Sequence, residues 1–302
     1  MLDLDFAFFN LIDQTKTGLA YKKVFLDRLT PLFFAPRLEK LIDMPYLDAR
    51  GGNILLPLGV GNLNTLQQER HKVIAHKTQC LLEEYNLANL AVDRRLKNSF
   101  PDIYPRQELI FGEEFIKALA HILIKAYLSR HDLRKIIIVS AAEDFTLFIS
   151  SLDQYQLPVS IQNFSPHRDE IFAHQLLYEK GQAVSTSYLT PENWEEGDLV
   201  IIFADYNKLM ESYKGAALTI ILNNYSSSLA PELERGLVKD GLAPELFNLA
   251  PIMECCLRAK AGILDIDTEP IIASQIKADN FIGLEEIGCR WGLWDHFLDK
   301  VL

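Results

Sequence analysis

The sequence predicts an α/β protein, a doubly wound parallel sheet with a smaller N-terminal α/β domain. Three observations carry that expectation. From residue 136 to 222, short apolar runs alternate with helical patterns, the order that gives parallel strands joined by crossover helices. Ahead of residue 110 stands a separate and shorter strand–helix–strand order. Between them Phe100–Gln107 (FPDIYPRQ) carries two prolines and interrupts the periodicity, so it reads as a connection. Domains are therefore expected at 1–110 and 111–302.

Taken in order, Tyr21–Met44 reads as a helical stretch interrupted near Pro31 and Pro36. Asn53–Val60 (NILLPLGV) reads as a strand, with Pro57 placing it at an edge or a bend. Leu63–Tyr85 carries Leu66, Val73, Ile74, Cys80, Leu81 and Leu82 at amphipathic spacing, with Asn64 or Thr65 as its N-cap. Leu87–Val92 is a second short strand. A long helix at Glu113–Ser129 leads into the second domain. Strands are expected there at Ile136–Val139, Val159–Phe164, Val184–Tyr188, Leu199–Phe203 and Leu218–Leu222, with helices at His167–Lys180, Tyr206–Tyr213 and Pro231–Val238. Leu284–Leu302, with Trp291, Trp294 and Phe297, reads as an amphipathic helix that docks onto the body of the protein.

Bulk properties narrow the function classes. The 302 residues are enough for two domains with proper cores, and 49% hydrophobic with 24% charged residues is an ordinary globular composition. A net charge of −11 opposes a nucleic-acid partner, and the cluster Arg94-Arg95-Leu96-Lys97 does not reverse it. No apolar run approaches the roughly 20 residues that cross a bilayer, so no membrane role is expected. The N-terminus MLDLDFAFF lacks the basic start of a secretory signal. Cys80, Cys255, Cys256 and Cys289 have no metal-like spacing and read as reduced, buried thiols of a cytoplasmic protein. His71 and His76 are five apart, not four, and no metal site is expected.

The chemistry-bearing stretch is 135–149, KIIIVSAAEDFTLFI. A buried strand and a following helix flank a turn of Ser140, Ala141, Ala142, Glu143 and Asp144. In a dinucleotide-binding domain that turn is Gly-rich, so that backbone N–H groups reach a pyrophosphate. Here it has no glycine and two carboxylates, which suit an unliganded helix N-terminus and repel phosphate. Ser165 with Arg168 could hold a phosphate at the start of the next helix, the other reading being a cap and a surface residue. Asp205 and Asn223 follow strand ends, where open α/β sheets place ligands and also turn formers.

Four segments in order resemble the predicted amino-acid dehydrogenases and long-chain acyl-carrier-protein reductases, with the two-domain architecture of shikimate and quinate dehydrogenases. They are Leu55-Leu56-Pro57-Leu58 with the helix after it, Leu109-Ile110-Phe111-Gly112, Ile136–Ile149, and Leu249–Gly262 with Phe281-Ile282-Gly283. The resemblance implies a Rossmann-like fold, NAD or NADP as cofactor, and oxidoreductase chemistry on a small molecule. It breaks at the site: Ser140, Glu143 and Thr146 stand where the family has glycines, and Pro251 stands where the acyl reductases carry a cysteine. The end of the second strand, Asn163-Phe164-Ser165, has no ribose-binding acid.

These departures point to a degenerate dinucleotide site with a non-catalytic or altered-ligand role. The alternative is an active NAD(P)-dependent oxidoreductase with a non-standard phosphate-binding loop, anchored by Arg168 or by Arg94 and Arg95. An adenosyl-ligand site and a pure interaction protein are further readings. No catalytic residue is assigned, and a homo-oligomer is left open.

Overall fold

The computed structural model describes residues 4–12, 15–87, 89–97, 109–140, 145–205, 215–267 and 280–301. Its contacts divide the chain into two compact units, Met1–Ile116 with Ala230–Phe297, and Lys117–Leu229 with Leu298–Leu302. The expected connection at 100–107, the helix at 206–213 and the turn residues Ala141, Ala142, Glu143 and Asp144 lie outside the described residues.

The first unit begins with β1 (Phe6–Leu11), α1 (Lys23–Phe33), β2 (Arg37–Met44), β3 (Ala49–Leu56), α2 (Val60–Thr65), α3 (Gln68–Glu84), β4 (Leu90–Val92), β5 (Leu109–Ile110) and the start of α4 (Glu113–Leu128). Its sheet runs β2-β3-β1-β4-β5 and is parallel except for the edge strand β2. β1, FAFFNL, is the central strand and buried along its whole length, so it lacks the alternation of a half-exposed strand.

Three expectations are corrected in this unit. Arg37–Met44 is a strand, because Pro36 ends the helical stretch and the chain then pairs antiparallel with β3. β3 lies inside the sheet, with Pro57 just past its end, where no ladder N–H is needed. The helix of 63–85 is two, broken at Leu66, whose backbone is extended; Asp27 Oδ1 of α1 accepts the Gln67 N–H at 3.1 Å and replaces the Asn64 or Thr65 cap.

The second unit holds β6 (Lys135–Val139), α5 (Thr146–Ser151), β7 (Val159–Asn163), α6 (His167–Lys180), β8 (Val184–Tyr188), β9 (Asp198–Ile202) and β10 (Leu218–Ile221). All five strands are parallel, in the order β10-β9-β6-β7-β8. β6 and β9 are buried almost throughout, as apolar runs between covered faces must be. Asp198 opens β9 fully buried, held by Lys135 Nζ at 3.1 Å and by the Glu195 N–H at 3.0 Å.

The chain then returns to the first unit through α7 (Pro231–Lys239), α8 (Leu246–Asp267), α9 (Phe281–Arg290) and the start of α10 (Asp295–Val301). The sequence assigns everything after residue 110 to one domain; the contacts instead group Ala230–Phe297 with the N-terminal sheet. The physical reason is α8, which buries Leu249, Ala250, Ile252, Met253 and Leu257 and packs on β1, β4 and β5. The C-terminal stretch is two helices rather than one, separated by a turn in which Gly292 has φ +64°. Trp294 and Phe297 are buried against Phe115, with ring centroids 5.7 and 5.8 Å away, and Trp294 Nε1 donates to Glu285 O at 2.9 Å. Cys255 and Cys256 are buried and burial pushes the Cys256 thiol up, whereas Cys80 and Cys289 are exposed, contrary to the expectation for them.

Candidate functional site

Numbered along the chain from β6, the second sheet reads 5-4-1-2-3, the strand order of the doubly wound dinucleotide fold. The order reverses between β6 and β9, and ligands of such sheets bind in the crevice outside the carboxyl ends of the strands at that point. Val139 ends β6 and Ser140 follows it, and Phe203 follows β9, its N–H donating to Val139 O at 3.1 Å. Around them stand three rings: Phe145 and Phe203 have centroids 4.5 Å apart, and Phe148 lies 5.6 Å from Phe203 and 6.2 Å from Phe145. Phe148 is fully buried while Phe145 and Phe203 are half-buried, and the Lys117 ammonium sits 5.5 Å from the Phe145 centroid.

The residues singled out from sequence fall along this edge, with distinct local roles. Ser140 is buried, and its carbonyl accepts Asn163 Nδ2 at 3.3 Å. Ser165 and Arg168 are exposed at the start of α6, where the N-cap is Pro166 and no side chain caps the helix. Asp205 is exposed and accepts the N–H and the side-chain amide of Asn224 at 3.2 and 3.3 Å, which ties the loops after β9 and β10. Asn223 is buried and accepts the Tyr225 N–H and the Ser226 hydroxyl at 3.1 and 2.9 Å, the pattern of a turn former.

Two residues have no role in the sequence reading, Asn163 at the end of β7 and Asp169 in the first turn of α6. Asn163 donates from Nδ2 to Ser140 O and to Asp169 Oδ2, and its Oδ1 accepts the Ser165 N–H at 2.6 Å. Asp169, from the first turn of α6, is buried there. No acid stands at the end of β7 itself; Asp169, in the first turn of α6, is turned onto Asn163. Both amide hydrogens of Asn163 are used inside the protein. The signal was Asn-x-Ser ahead of a helix start with Asp in the first turn, an Asx-turn pattern. Asn163→Ala leaves Asp169 without this amide donor in a dry setting. It is expected to cost about 1–3 kcal/mol, measured by urea unfolding.

A second polar edge lies in the first unit. Asn10 of β1 and Asn53 of β3 share one face by register, since Phe8 pairs with Asn53 and side chains alternate. Asn53 Oδ1 is buried and meets no hydrogen-bond donor among the described residues. Asp93, just past β4, is fully buried and grips Arg95 with both carboxylate oxygens. The Arg95 guanidinium lies 4.0 Å from the Phe247 ring centroid, and Arg94 donates to Phe111 O at 2.9 Å. Both arginines proposed as a phosphate anchor therefore brace the first unit from within.

Among the described residues no group of three or more His, Cys, Asp or Glu is placed to hold a metal, and no helix is long and apolar enough to cross a membrane.

The fold and the edge geometry define a Rossmann-type α/β protein with a second, mixed-sheet unit. No family model and no curated protein sequence matches the chain. Among solved structures it is similar to an L-tryptophan dehydrogenase from Nostoc punctiforme, at 11% identity, with 97% of this chain and 80% of that one covered and a TM-score of 0.45. A shikimate dehydrogenase in complex with NADP+ matches at 14% identity, over 66% of this chain and 84% of that one, with a TM-score of 0.34. A chorismate mutase/shikimate 5-dehydrogenase fusion from Clostridium acetobutylicum matches at 12% identity, over 94% and 98%, with a TM-score of 0.33.

Proposed function

We infer that this chain binds a small molecule at the carboxyl edge of its second sheet, in a site altered away from dinucleotide binding, without oxidoreductase turnover. The observation that carries this reading is the Phe145–Phe203 ring pair, 4.5 Å apart at the point where the strand order reverses. A pyrophosphate requires backbone N–H groups and small residues there. Two half-buried phenyl rings instead favour an apolar or flat aromatic group. Asn163 adds support, because its two donors are taken at the place where a ribose hydroxyl would be held. Ser140 opens a turn without glycine, and Glu143 and Asp144 bring negative charge to it.

Calorimetric titration of the full chain with NAD(H) and NADP(H) tests the reading. No binding tighter than about 10 µM is expected, a free energy weaker than about −7 kcal/mol. Tighter binding, lost in Arg168→Ala and accompanied by turnover on amino-acid, keto-acid or acyl-thioester substrates, would establish the active-oxidoreductase alternative. Binding of a flat aromatic probe such as an anilinonaphthalene sulfonate, weakened by Phe203→Ala, is the positive outcome.

A further inference from the structure

We propose that β8 is the centre of a homodimer interface, in which two copies of this chain pair β8 antiparallel about Thr186 and pack their α6 helices side by side. The proposal does not depend on what the carboxyl edge binds.

β8 is an edge strand of the second sheet, and among the described residues no strand pairs its outer side. Its sequence, VSTSY, has no charge, proline or glycine, the devices that commonly blunt a free edge. In the parallel ladder Tyr188 stands opposite Asn163, and the Leu189 N–H donates to Asn163 O at 3.0 Å. Residues 185, 187 and 189 therefore turn their main-chain groups toward β7. Those of Val184, Thr186 and Tyr188 turn outward, evenly spaced along the edge.

The occupant follows from the symmetry of the strand. A twofold axis through Thr186 sets Thr186 opposite itself as a hydrogen-bonded pair, Ser185 opposite Ser187, and Val184 opposite Tyr188. Thr–Thr, Ser–Ser and aromatic–β-branched pairs are favourable cross-strand combinations. An isologous contact needs such a self-complementary patch.

The helix above the strand supplies the apolar area. On α6, Ile171 is 78% and Tyr178 85% exposed, two turns apart on one stripe, with Leu177 beside them; Phe164 and Tyr188 are more than half exposed at the end of the sheet. With aromatic side chains presenting 150–250 Å² each, these five residues offer about 600 Å² per copy. That approaches the roughly 800 Å² per partner of a stable interface, before any main-chain area is counted. A twofold axis makes the two α6 helices antiparallel, so their dipoles oppose and Glu170 near one end approaches Lys180 at the far end of the other. A cleft of about 190 Å³ between α6 and β8, lined by His174, Leu177, Val184 and Thr186, leaves room for the partner's side chains.

Light scattering coupled to gel filtration, on the full chain at about 50 µM, tests this. The expected mass is twice the 34.4 kDa of one chain. Thr186→Pro, whose lost N–H faces outward, is expected to run as a monomer with an unchanged circular dichroism spectrum. Tyr178→Glu is expected to raise the dissociation constant at least about tenfold. Oxidised Thr186→Cys is expected to cross-link two copies, since a hydrogen-bonded antiparallel pair sets Cα atoms about 5.5 Å apart. A monomeric wild type, or a dimer that survives both Thr186→Pro and Tyr178→Glu, overturns the proposal. Should Thr186→Pro fail to fold, Tyr178→Glu and the cross-link decide it.

Discussion

Glu254→Ala is expected to lower the stability of the folded chain by about 3–5 kcal/mol, shifting thermal unfolding by roughly 10 °C. Glu254 lies on α8 with 2% of its surface exposed. Its Oε2 accepts the N–H groups of Glu114 and Phe115 at 3.0 and 3.1 Å, capping the start of α4 from 140 residues away in the chain. Its Oε1 accepts Arg258 Nη2 at 2.7 Å. Alanine removes the partner of two main-chain donors and of a guanidinium whose side chain is 15% exposed.

The pH dependence has a definite sign. Burial holds the Glu254 carboxyl above its ordinary range, against the opposing pull of Arg258 and the Phe115 N–H. A carboxyl raised in the folded state contributes stability that is full below the unfolded value and is lost as pH rises through the folded one. Glu254→Gln cannot titrate. Melting temperatures followed from about pH 4 to 8 are therefore expected to fall less steeply with pH in this variant than in the wild type. An equal slope in both would remove Glu254 from the account.

Gly112→Ala is the second large effect, at least about 3 kcal/mol or outright loss of folded protein. Gly112 has φ +80°, and a β-carbon there would lie 2.5 Å from both Ala250 C and Pro251 N. Those are main-chain atoms of α8 and cannot swing aside as a side-chain tip does. The turn is pinned on either side, by Arg94 on Phe111 O and by Glu254 on the first N–H groups of α4. Gly181→Ala is the control: φ is also positive, +68°, but nothing lies within 4 Å of the added carbon. It is expected to cost only about 1 kcal/mol. Denaturant midpoints of the two variants separate steric conflict from backbone strain.

The second sheet was legible because β6, β9 and β10 are short, mainly apolar runs and strand and helix patterns alternate through it; Val184–Tyr188 and His167–Lys180 agree to the residue. The first unit was harder for physical reasons. FAFFNL is buried on both faces and shows no period, and over the eight residues RLEKLIDM helical and strand spacings are not separable. Nor does any local pattern announce that α8 covers a sheet begun some 240 residues earlier, because its apolar residues surround much of its circumference. At the candidate site, Asn163 was in view but its partner was not. The start of α6 after Pro166 was legible, but the fold of the chain between β7 and α6 that turns Asp169 back onto Asn163 was not. The ring pair of Phe145 and Phe203 was likewise hidden, since it joins the start of α5 to the residue after β9, 58 positions apart in the chain.

The discontinuity of the first unit sets an order of events during synthesis. When the ribosome has delivered residue 229, the Lys117–Leu229 body of the second unit is complete and able to close, whereas the older N-terminal sheet lacks α8. At about 5–20 residues per second, the part of β1 on which α8 packs then waits several seconds for its cover. A sheet made before the second unit is thus finished after it, and in that interval the uncovered face of its central strand is the segment most in need of a chaperone.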